Sequence, residues 1–325
     1  MRLKLDPFVS AIFLIVAIAY FFPQFGIDNM EPFLNKITTV GIGLIFFFYG
    51  LKLSPAKLKA GLSNWKLHLL IQGSTFFLFP VLVLLFRPLL HNAEQEIIWL
   101  AFFFLAALPS TVSTSVVMVS IAKGNLPSAI FNASISGIIG ILVTPLWIGL
   151  FINTDQVVFD FSDIYVSLIL QVLLPLLLGI FLQLIVGSFV QQYSKQLALF
   201  DKSIILLIIY KSFAKSFSDH LFSHISLTDF LFIIIGVLVL FTLVYSLISL
   251  LSRKLGFSLE DRITAQFCGT KKSLVHGTVF SKIIFQNAAS VGIIILPLML
   301  FHIFQIVIIS MIASHYKKMI EMRVK

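Results

Sequence analysis

Long apolar runs, each of helix length, follow one another along almost the whole chain. Hydrophobic residues make up 59% of the 325 residues and charged residues only 11%, whereas a soluble domain carries roughly 25% charged residues. Runs of about 17–25 apolar residues can cross the hydrocarbon core of a bilayer as helices. Transmembrane strands would show alternating rather than continuous apolar residues. The sequence therefore predicts an all-α integral membrane protein.

Turn and charge signals between the apolar runs divide the chain into ten predicted spans. Ten spans split into two halves of five. Because five is odd, the second half begins on the other side of the membrane and has the opposite orientation. We therefore expect an inverted repeat of residues 1–152 and 153–325, a common construction of secondary transporters. The predicted spans are 8–23, 33–52, 65–87, 96–122, 126–151, 161–187, 199–217, 228–252, 260–285 and 288–316.

The lysines and arginines that lie outside the middle of the predicted spans fall mostly on one side of the membrane. With the N-terminus inside, only Lys36, Arg87, Lys215 and Lys282 fall on the outer side. Positive charge concentrates on the cytoplasmic side of membrane proteins. Both termini are therefore predicted to be cytoplasmic, in the cell membrane, which in a bacterium is the inner membrane. The net charge of +9 reflects this topology, and no aromatic and basic patch indicates nucleic-acid binding.

Two predicted spans, each the fourth of its half, carry helix-breaking residues near their middle. In span four, Pro109 cannot donate a backbone hydrogen bond and is followed by a run of hydroxyl residues. In span nine, Gly269 precedes the polar residues 270–273. Non-helical backbone at this depth in the membrane is tolerated only where it is buried in protein or lines a water-filled cavity. We expect the two breaks to face each other and form a site; the alternative is a pair of kinked packing helices.

Polar side chains near the two breaks are the candidate ion- and substrate-binding residues. Ser128, Asn132 and Ser136 have the spacing i, i+4, i+8 and share one face of span five, although such residues also serve as ordinary packing contacts between membrane helices. Besides the helix-breaking Pro109 and Gly269, the candidates are Gln72, Ser113, Thr114, Ser115, Asn132, Ser136, Gln266, Thr270, Lys271, Lys272, Ser273 and His276.

The stretches LPSTVSTSVVMVSIAKGNLPSA (108–129) and FCGTKKSLVHG (267–277) resemble the bile acid:sodium symporter superfamily. The resemblance is greatest to its divergent branch of bacterial homologues and the seventh vertebrate member, and it extends over nearly the whole chain. It implies a panel domain of spans 1, 2, 6 and 7 and a core domain of spans 3, 4, 5, 8, 9 and 10. It also implies that broken helices four and nine cross beside the binding site of a secondary transporter, here for a small organic anion.

The chain departs from the sodium-dependent members of that superfamily where they bind sodium. Those members hold a glutamate in helix nine, where this chain has Gln266 or Phe267, and a following glutamine, where it has Lys271. Ser115 matches a serine ligand, but Val116 replaces an asparagine. These departures put sodium coupling in doubt and make Na⁺ and H⁺ alternative coupling ions. No metal site is predicted with certainty, because Lys271 or Lys272 can take the place of the sodium ion itself.

Lys271 and Lys272 stand where the pattern of span nine places the middle of the membrane. An ammonium there costs several kcal/mol unless it is hydrated, neutralised or paired, and no Asp or Glu lies in the middle of any predicted span. Four roles stay open. A lysine replaces the coupling cation, bound by Gln266, carbonyls and hydroxyls; a lysine titrates; the lysines bind an anionic substrate; or they hold the crossing together.

Two other classes of function are alternatives to transport. The divergent branch is associated with regulation of ion and calcium homeostasis, which stays open as an alternative. An intramembrane enzyme is not expected, because the spans lack the acidic clusters of Mg²⁺-dependent transferases. Neither Ser115 nor Ser273 lies in a GxSxG-like nucleophile setting. No cofactor is predicted, and the expected partners are a small organic anion, a coupling ion and the lipid bilayer.

Overall fold

The computed structural model describes residues 7–27, 30–53, 59, 61–89, 93–151, 161–224, 226–285 and 290–324. All regular structure in these residues is helical. Two π-helical turns, Ser74–Leu78 and Ile169–Leu173, interrupt longer helices, and Arg87–Leu89 and Leu221–His224 are short 3₁₀ turns. The α-helices are α1 (Pro7–Phe21), α2 (Gln24–Ile27), α3 (Glu31–Lys52), α4 (Trp65–Gly73), α5 (Phe79–Leu84), α6 (Ala93–Ala107), α7 (Ser113–Ile121), α8 (Leu126–Gly149), α9 (Phe161–Leu168), α10 (Leu174–Gln192), α11 (Ser194–Ser218), α12 (Leu227–Lys254), α13 (Leu259–Gly269), α14 (Leu274–Ile284) and α15 (Val291–Val324).

Several helical segments have the length and apolar character needed to cross a membrane, so the predicted multi-pass membrane class is confirmed. The ten-span count stays a prediction. Within the described residues, two shorter apolar helices, Pro7–Phe21 and Gln95–Ala107, accompany six long segments. The long segments are Glu31–Lys52, Trp65–Leu84, Leu126–Gly149, Ser162–Gln183, Leu227–Lys254 and Val291–Met322.

The last helix continues beyond the boundary that the sequence suggested. The predicted span ended at residue 316, before a charged segment, whereas α15 runs to Val324. Lys317 and Glu321 stand one turn apart on this extension, with 3.9 Å between Nζ and Oε1. Such i, i+4 pairs support helices in water, so the charges mark an end of the apolar segment and not of the helix.

The chain folds into two compact units, and each takes segments from both halves of the sequence. The first unit comprises Met1–Ser54, Asp160–Thr228 and Thr278–Ile295. The second unit comprises Pro55–Phe159, Asp229–Gly277 and Leu296–Lys325. Both helix interruptions expected from the sequence belong to the second unit.

In the first unit, α3 and α10 approach each other at two glycines. A Cβ atom added to Gly50 would lie 2.2 Å from the carbonyl oxygen of Leu176, and one added to Gly179 would lie 2.2 Å from that of Phe47. Both distances are shorter than any van der Waals contact, so the backbones themselves touch. Small residues permit such close packing between membrane helices.

We expect Gly179→Ala to destabilise the protein, because the added methyl group meets backbone that cannot rotate away. Overpacking of this kind costs about 1–3 kcal/mol. Gly73→Ala is the matched control, since a Cβ atom at Gly73 has no neighbour within 4 Å. The measurement is the thermal unfolding midpoint of the detergent-purified protein. A Gly179→Ala midpoint equal to that of Gly73→Ala would contradict the backbone contact.

Candidate functional site

The fourth predicted span forms two helices, α6 and α7, which are separated by an interruption around Pro109. Proline has no N–H to donate and clashes with the preceding turn. The N–H of Ser110 donates to the hydroxyl of Ser136 at 3.0 Å, and not to the carbonyl of Ala106 one helical turn earlier. The end of α6 therefore presents backbone carbonyls that lack their usual intrahelical donors.

The second interruption, between α13 and α14, lies in contact with the first. The N–H of Ser273 donates to the carbonyl of Pro109 at 2.9 Å. The hydroxyl of Ser110 donates to the carbonyl of Cys268 at 2.6 Å. The two interruptions thus satisfy each other's backbone groups, which broken backbone must achieve when it is buried.

Lys272 donates from its side chain to carbonyls at the end of α6 and to one carbonyl of another helical segment. Its Nζ lies within hydrogen-bonding distance of the carbonyl oxygens of Thr75 (2.7 Å), Ala106 (2.6 Å) and Leu108 (2.8 Å). It also lies 4.1 Å from the centroid of the Phe79 ring, a favourable position for a cation. A neutral amine has only two hydrogens to donate. An ammonium has three, so the three acceptors around this nitrogen favour the ammonium form.

The carbonyl of Thr75 is available because of the π-helical turn in which it lies. The N–H of Phe79 donates to the carbonyl of Ser74, five residues earlier. The corresponding donor for Thr75 would be residue 80, which is Pro80 and has no N–H. A proline in the third predicted span thus creates one of the three acceptors of Lys272.

Gln305 of α15 holds the backbone of the second interruption. Its Oε1 accepts from the N–H of Lys272 and its Nε2 donates to the carbonyl of the same residue, both at 2.9 Å. Nε2 also lies 2.9 Å from Nδ1 of His302. One amide side chain therefore replaces the two helical hydrogen bonds that this residue lacks.

Lys271 is as deeply buried as Lys272 but has fewer partners. Both residues are 0% exposed. Among the described residues, the Lys271 ammonium makes one hydrogen bond, to the carbonyl of Thr114 at 2.9 Å. Within the same residues no carboxylate lies within 4.0 Å of either lysine, and no group of His, Cys, Asp and Glu could hold a metal ion. In the described part of the chain, Lys271 thus has fewer hydrogen-bond partners than Lys272.

The hydroxyl residues after the first break bond mainly to each other. Thr111 lies 2.6 Å from the hydroxyl of Thr114 and 3.0 Å from that of Ser115. Ser115 also donates to the carbonyl of Phe267 at 3.5 Å, which links α7 to α13. Ser113 begins α7, but its side chain lies outside the described part of the chain.

One interpretation of the sequence had Gln266 bind a lysine; in the described part of the chain its side-chain oxygen bonds to two tyrosines. Its Oε1 accepts from the hydroxyls of Tyr245 at 3.2 Å and Tyr316 at 3.0 Å. Thr270 donates its hydroxyl to the backbone carbonyl of Gln266 at 2.6 Å and so caps α13. The lysine side chains bond to backbone carbonyls, Lys272 to three of them and Lys271 to one.

Other predicted residues form two further polar groups in the second unit. Gln72 donates to the side-chain oxygen of Asn132 at 3.1 Å, and the Asn132 amide nitrogen lies 2.8 Å from Nδ1 of His68. The hydroxyl of Ser273 lies 2.9 Å from Nδ1 of His276, just after the second break. The first group joins α4 to α8, whereas the second lies at the start of α14.

Some residues that contact Lys272 were not among the candidates predicted from the sequence. Gln305 and Thr75 bind Lys272 from elements distant along the chain, and only Pro80 gave a local signal, as a proline inside an apolar span. Such a proline usually indicates a kink; here it also indicates a free carbonyl one turn earlier. Phe79, which faces the ammonium, is indistinguishable in the sequence from the many other phenylalanines.

A multi-pass helical protein with two interrupted helices in contact has the construction of a secondary transporter. Residues 6–318 match the model of the SBF-like CPA transporter family, and the chain belongs to this family. It is 34% identical to the putative symporter YfeH of Escherichia coli, over 98% of this chain and 94% of that protein. It is 36% identical to an uncharacterized protein of Pseudomonas aeruginosa, over 96% and 93%. It is 30% identical to sodium/bile acid cotransporter 7 of Rattus norvegicus, over 100% and 96%.

We expect Lys272→Met to destabilise the protein much more than Lys271→Met. The first change leaves three buried carbonyls without a donor, and each unsatisfied group costs about 1–3 kcal/mol. The second change leaves one such carbonyl and removes a buried charge. Thermal unfolding midpoints in detergent compare the two variants, which replace neighbouring residues by the same side chain. Equal shifts would show that the carbonyl groups around Lys272 contribute no more than the single contact of Lys271.

Proposed function

We propose that the protein is a secondary active transporter that moves a small organic anion by alternating access. The family and the names of its relatives, a symporter and a sodium/bile acid cotransporter, support the transporter class. The observation that supports an anionic substrate is the buried ammonium of Lys271. Among the described residues it has one acceptor, the carbonyl of Thr114. A substrate carboxylate would supply the charge that the surrounding protein lacks.

We further propose the ten-span, five-plus-five topology, with the second unit as the core domain and the first as the panel. In support, the segments Met1–Ser54 and Asp160–Thr228 of the first unit contain predicted spans 1, 2, 6 and 7. The first unit also takes Thr278–Ile295, which the family resemblance assigned to the core. The proposed panel is therefore larger than the four spans alone.

In this proposal Lys272 takes the place of a coupling cation. Backbone carbonyls of broken helices are the ligands that transporters use for Na⁺, and here three of them surround the lysine Nζ. A fixed positive charge 4 Å from an incoming Na⁺ repels it by about 4 kcal/mol at an effective dielectric constant near 20. Since 1.4 kcal/mol changes an affinity tenfold, transport should be independent of Na⁺ or only weakly dependent on it.

Transport of labelled organic acids into proteoliposomes tests the proposed function. We expect Lys271→Met to lower uptake at least tenfold, because the substrate loses its counter-charge. Lys254→Met is the matched control, since Lys254 is an exposed lysine of the same unit at the end of α12. If no candidate anion moves under any imposed Na⁺ or H⁺ gradient, the transporter proposal fails, and regulation of ion homeostasis becomes the better account.

The sodium prediction is tested by thermal unfolding against Na⁺ at constant ionic strength, with choline as the replacing cation. The parent should show no saturable stabilisation by Na⁺, because an ammonium already occupies the carbonyl site. Lys271→Ala and Lys272→Ala should gain sensitivity to Na⁺ if they still fold. A saturable effect in the parent below 1 mM would show that the lysines do not replace the cation.

Coupling to protons is a separate outcome of the same experiments. If Lys271 gains and loses a proton during transport, uptake should follow an imposed H⁺ gradient. Lys271→Arg should then abolish the coupling, because arginine stays protonated. Uptake that follows the H⁺ gradient equally in the parent and in Lys271→Arg would exclude Lys271 as the proton carrier.

A further inference from the structure

The first unit contains a polar cavity of about 340 Å³, a volume typical of small-molecule sites. Three lysine side chains line it, from α11 and α14: Lys211, Lys215 and Lys282. The cavity wall also includes the polar residues Glu31, Asn35, Thr38, Thr39, Ser167 and Gln171. None of these residues belongs to the two helix interruptions, which lie in the second unit.

Two of the lysines bind only neutral groups. The ammonium of Lys282 donates to the hydroxyls of Thr38 at 2.6 Å and Thr39 at 3.1 Å. The ammonium of Lys211 donates to the side-chain oxygen of Asn35. Among the described residues, no carboxylate lies within 4.0 Å of either ammonium. Each side chain is only partly exposed, so water screens its charge incompletely.

The cavity carries an excess of positive charge. Lys215 is paired with Asp219, with 3.4 Å between Nζ and Oδ2. Glu31 attracts Lys211 from beyond ion-pair distance, and the charges of Lys211 and Lys282 repel each other. One carboxylate therefore faces two cations that lie within electrostatic range of each other. A second negative charge between these cations would remove their repulsion.

Lysines near the ends of membrane helices often extend to the interface without any ligand. Here the lysines converge from two helices on one cavity, and Lys282 is held by hydroxyls of a third helix, α3. A side chain that only sought water would not need these contacts. The arrangement resembles a prepared site, with charge, hydrogen-bond donors and space in one place.

We propose that this cavity binds a compact oxyanion, a carboxylate or phosphate group, between the ammonium groups of Lys211 and Lys282. Thr39, Ser167 and Gln171 offer further hydrogen bonds within the same cavity. The site goes beyond the proposed transport function, since it lies in the first unit and shares no residue with the helix breaks. Lys215 and Lys282 belong to the loops and helix ends predicted to face outward. The oxyanion is therefore supplied by a solute outside the cell or by the headgroup of an anionic lipid.

Thermal unfolding with inorganic phosphate, at constant ionic strength against chloride, tests the site without any transport measurement. We expect saturable stabilisation of the parent, and at least a tenfold weaker apparent affinity in Lys282→Met and Lys211→Met. Methionine fills the same space without charge, and the two variants test the site independently. Lys36→Met is the control, because Lys36 is an exposed lysine of α3 outside the cavity wall.

Nanodiscs distinguish the two sources of the oxyanion. If phosphatidylglycerol raises the unfolding midpoint over phosphatidylcholine, and Lys282→Met but not Lys36→Met removes this increase, the ligand is a lipid headgroup. If free phosphate alone shows this dependence on Lys282, the ligand is a solute. The proposal is overturned if neither probe stabilises the parent, or if Lys282→Met and Lys211→Met respond as Lys36→Met does.

Discussion

The bonds between the Lys272 ammonium and three backbone carbonyls are the interaction on which the second unit depends. Breaking α6 leaves carbonyls without donors, and burying a lysine leaves a cation without solvent; each arrangement alone costs several kcal/mol. Together they cancel much of that cost, because hydrogen bonds to charged groups contribute about 1.5–3 kcal/mol each. The last carbonyls of α6 also carry the negative end of the helix dipole. The break and the lysine are therefore one feature, and neither would be stable without the other.

The two adjacent lysines differ in how many protein groups their side chains bond to. Lys272 uses its whole donor capacity on Thr75, Ala106 and Leu108, so it fixes the crossing. Lys271 is equally buried but bonds to one carbonyl, that of Thr114. A binding residue needs donors that the protein does not already use. In the proposed function, Lys272 therefore holds the two interrupted helices together and Lys271 binds the anion.

The sequence predicts the membrane class, the helix interruptions near Pro109 and Gly269 and the position of Lys271 and Lys272 inside the membrane span, because these follow from local patterns. It does not predict which groups bind the lysines, since those contacts join residues far apart in the chain. Gln266, a neighbour in sequence, proved to bind Tyr245 and Tyr316. The distant Gln305 holds the Lys272 backbone instead. Periodicity indicates which face of a helix is buried, but only the fold shows what faces it.

A cation that is part of the chain has a consequence for energy coupling. An ion gradient drives transport only through an ion that binds more tightly in one conformation than in another and is then released. The ammonium of Lys272 can change its contacts during a cycle, but it cannot leave the protein and cross the membrane. A family member that replaces Na⁺ by a lysine therefore keeps the stabilising effect of the cation on the broken helices and loses its driving force. In the proposed function, the free energy for accumulation then comes from a mobile ion such as H⁺, and Lys271, which has only one hydrogen-bond partner among the described residues, is the lysine proposed to exchange that proton.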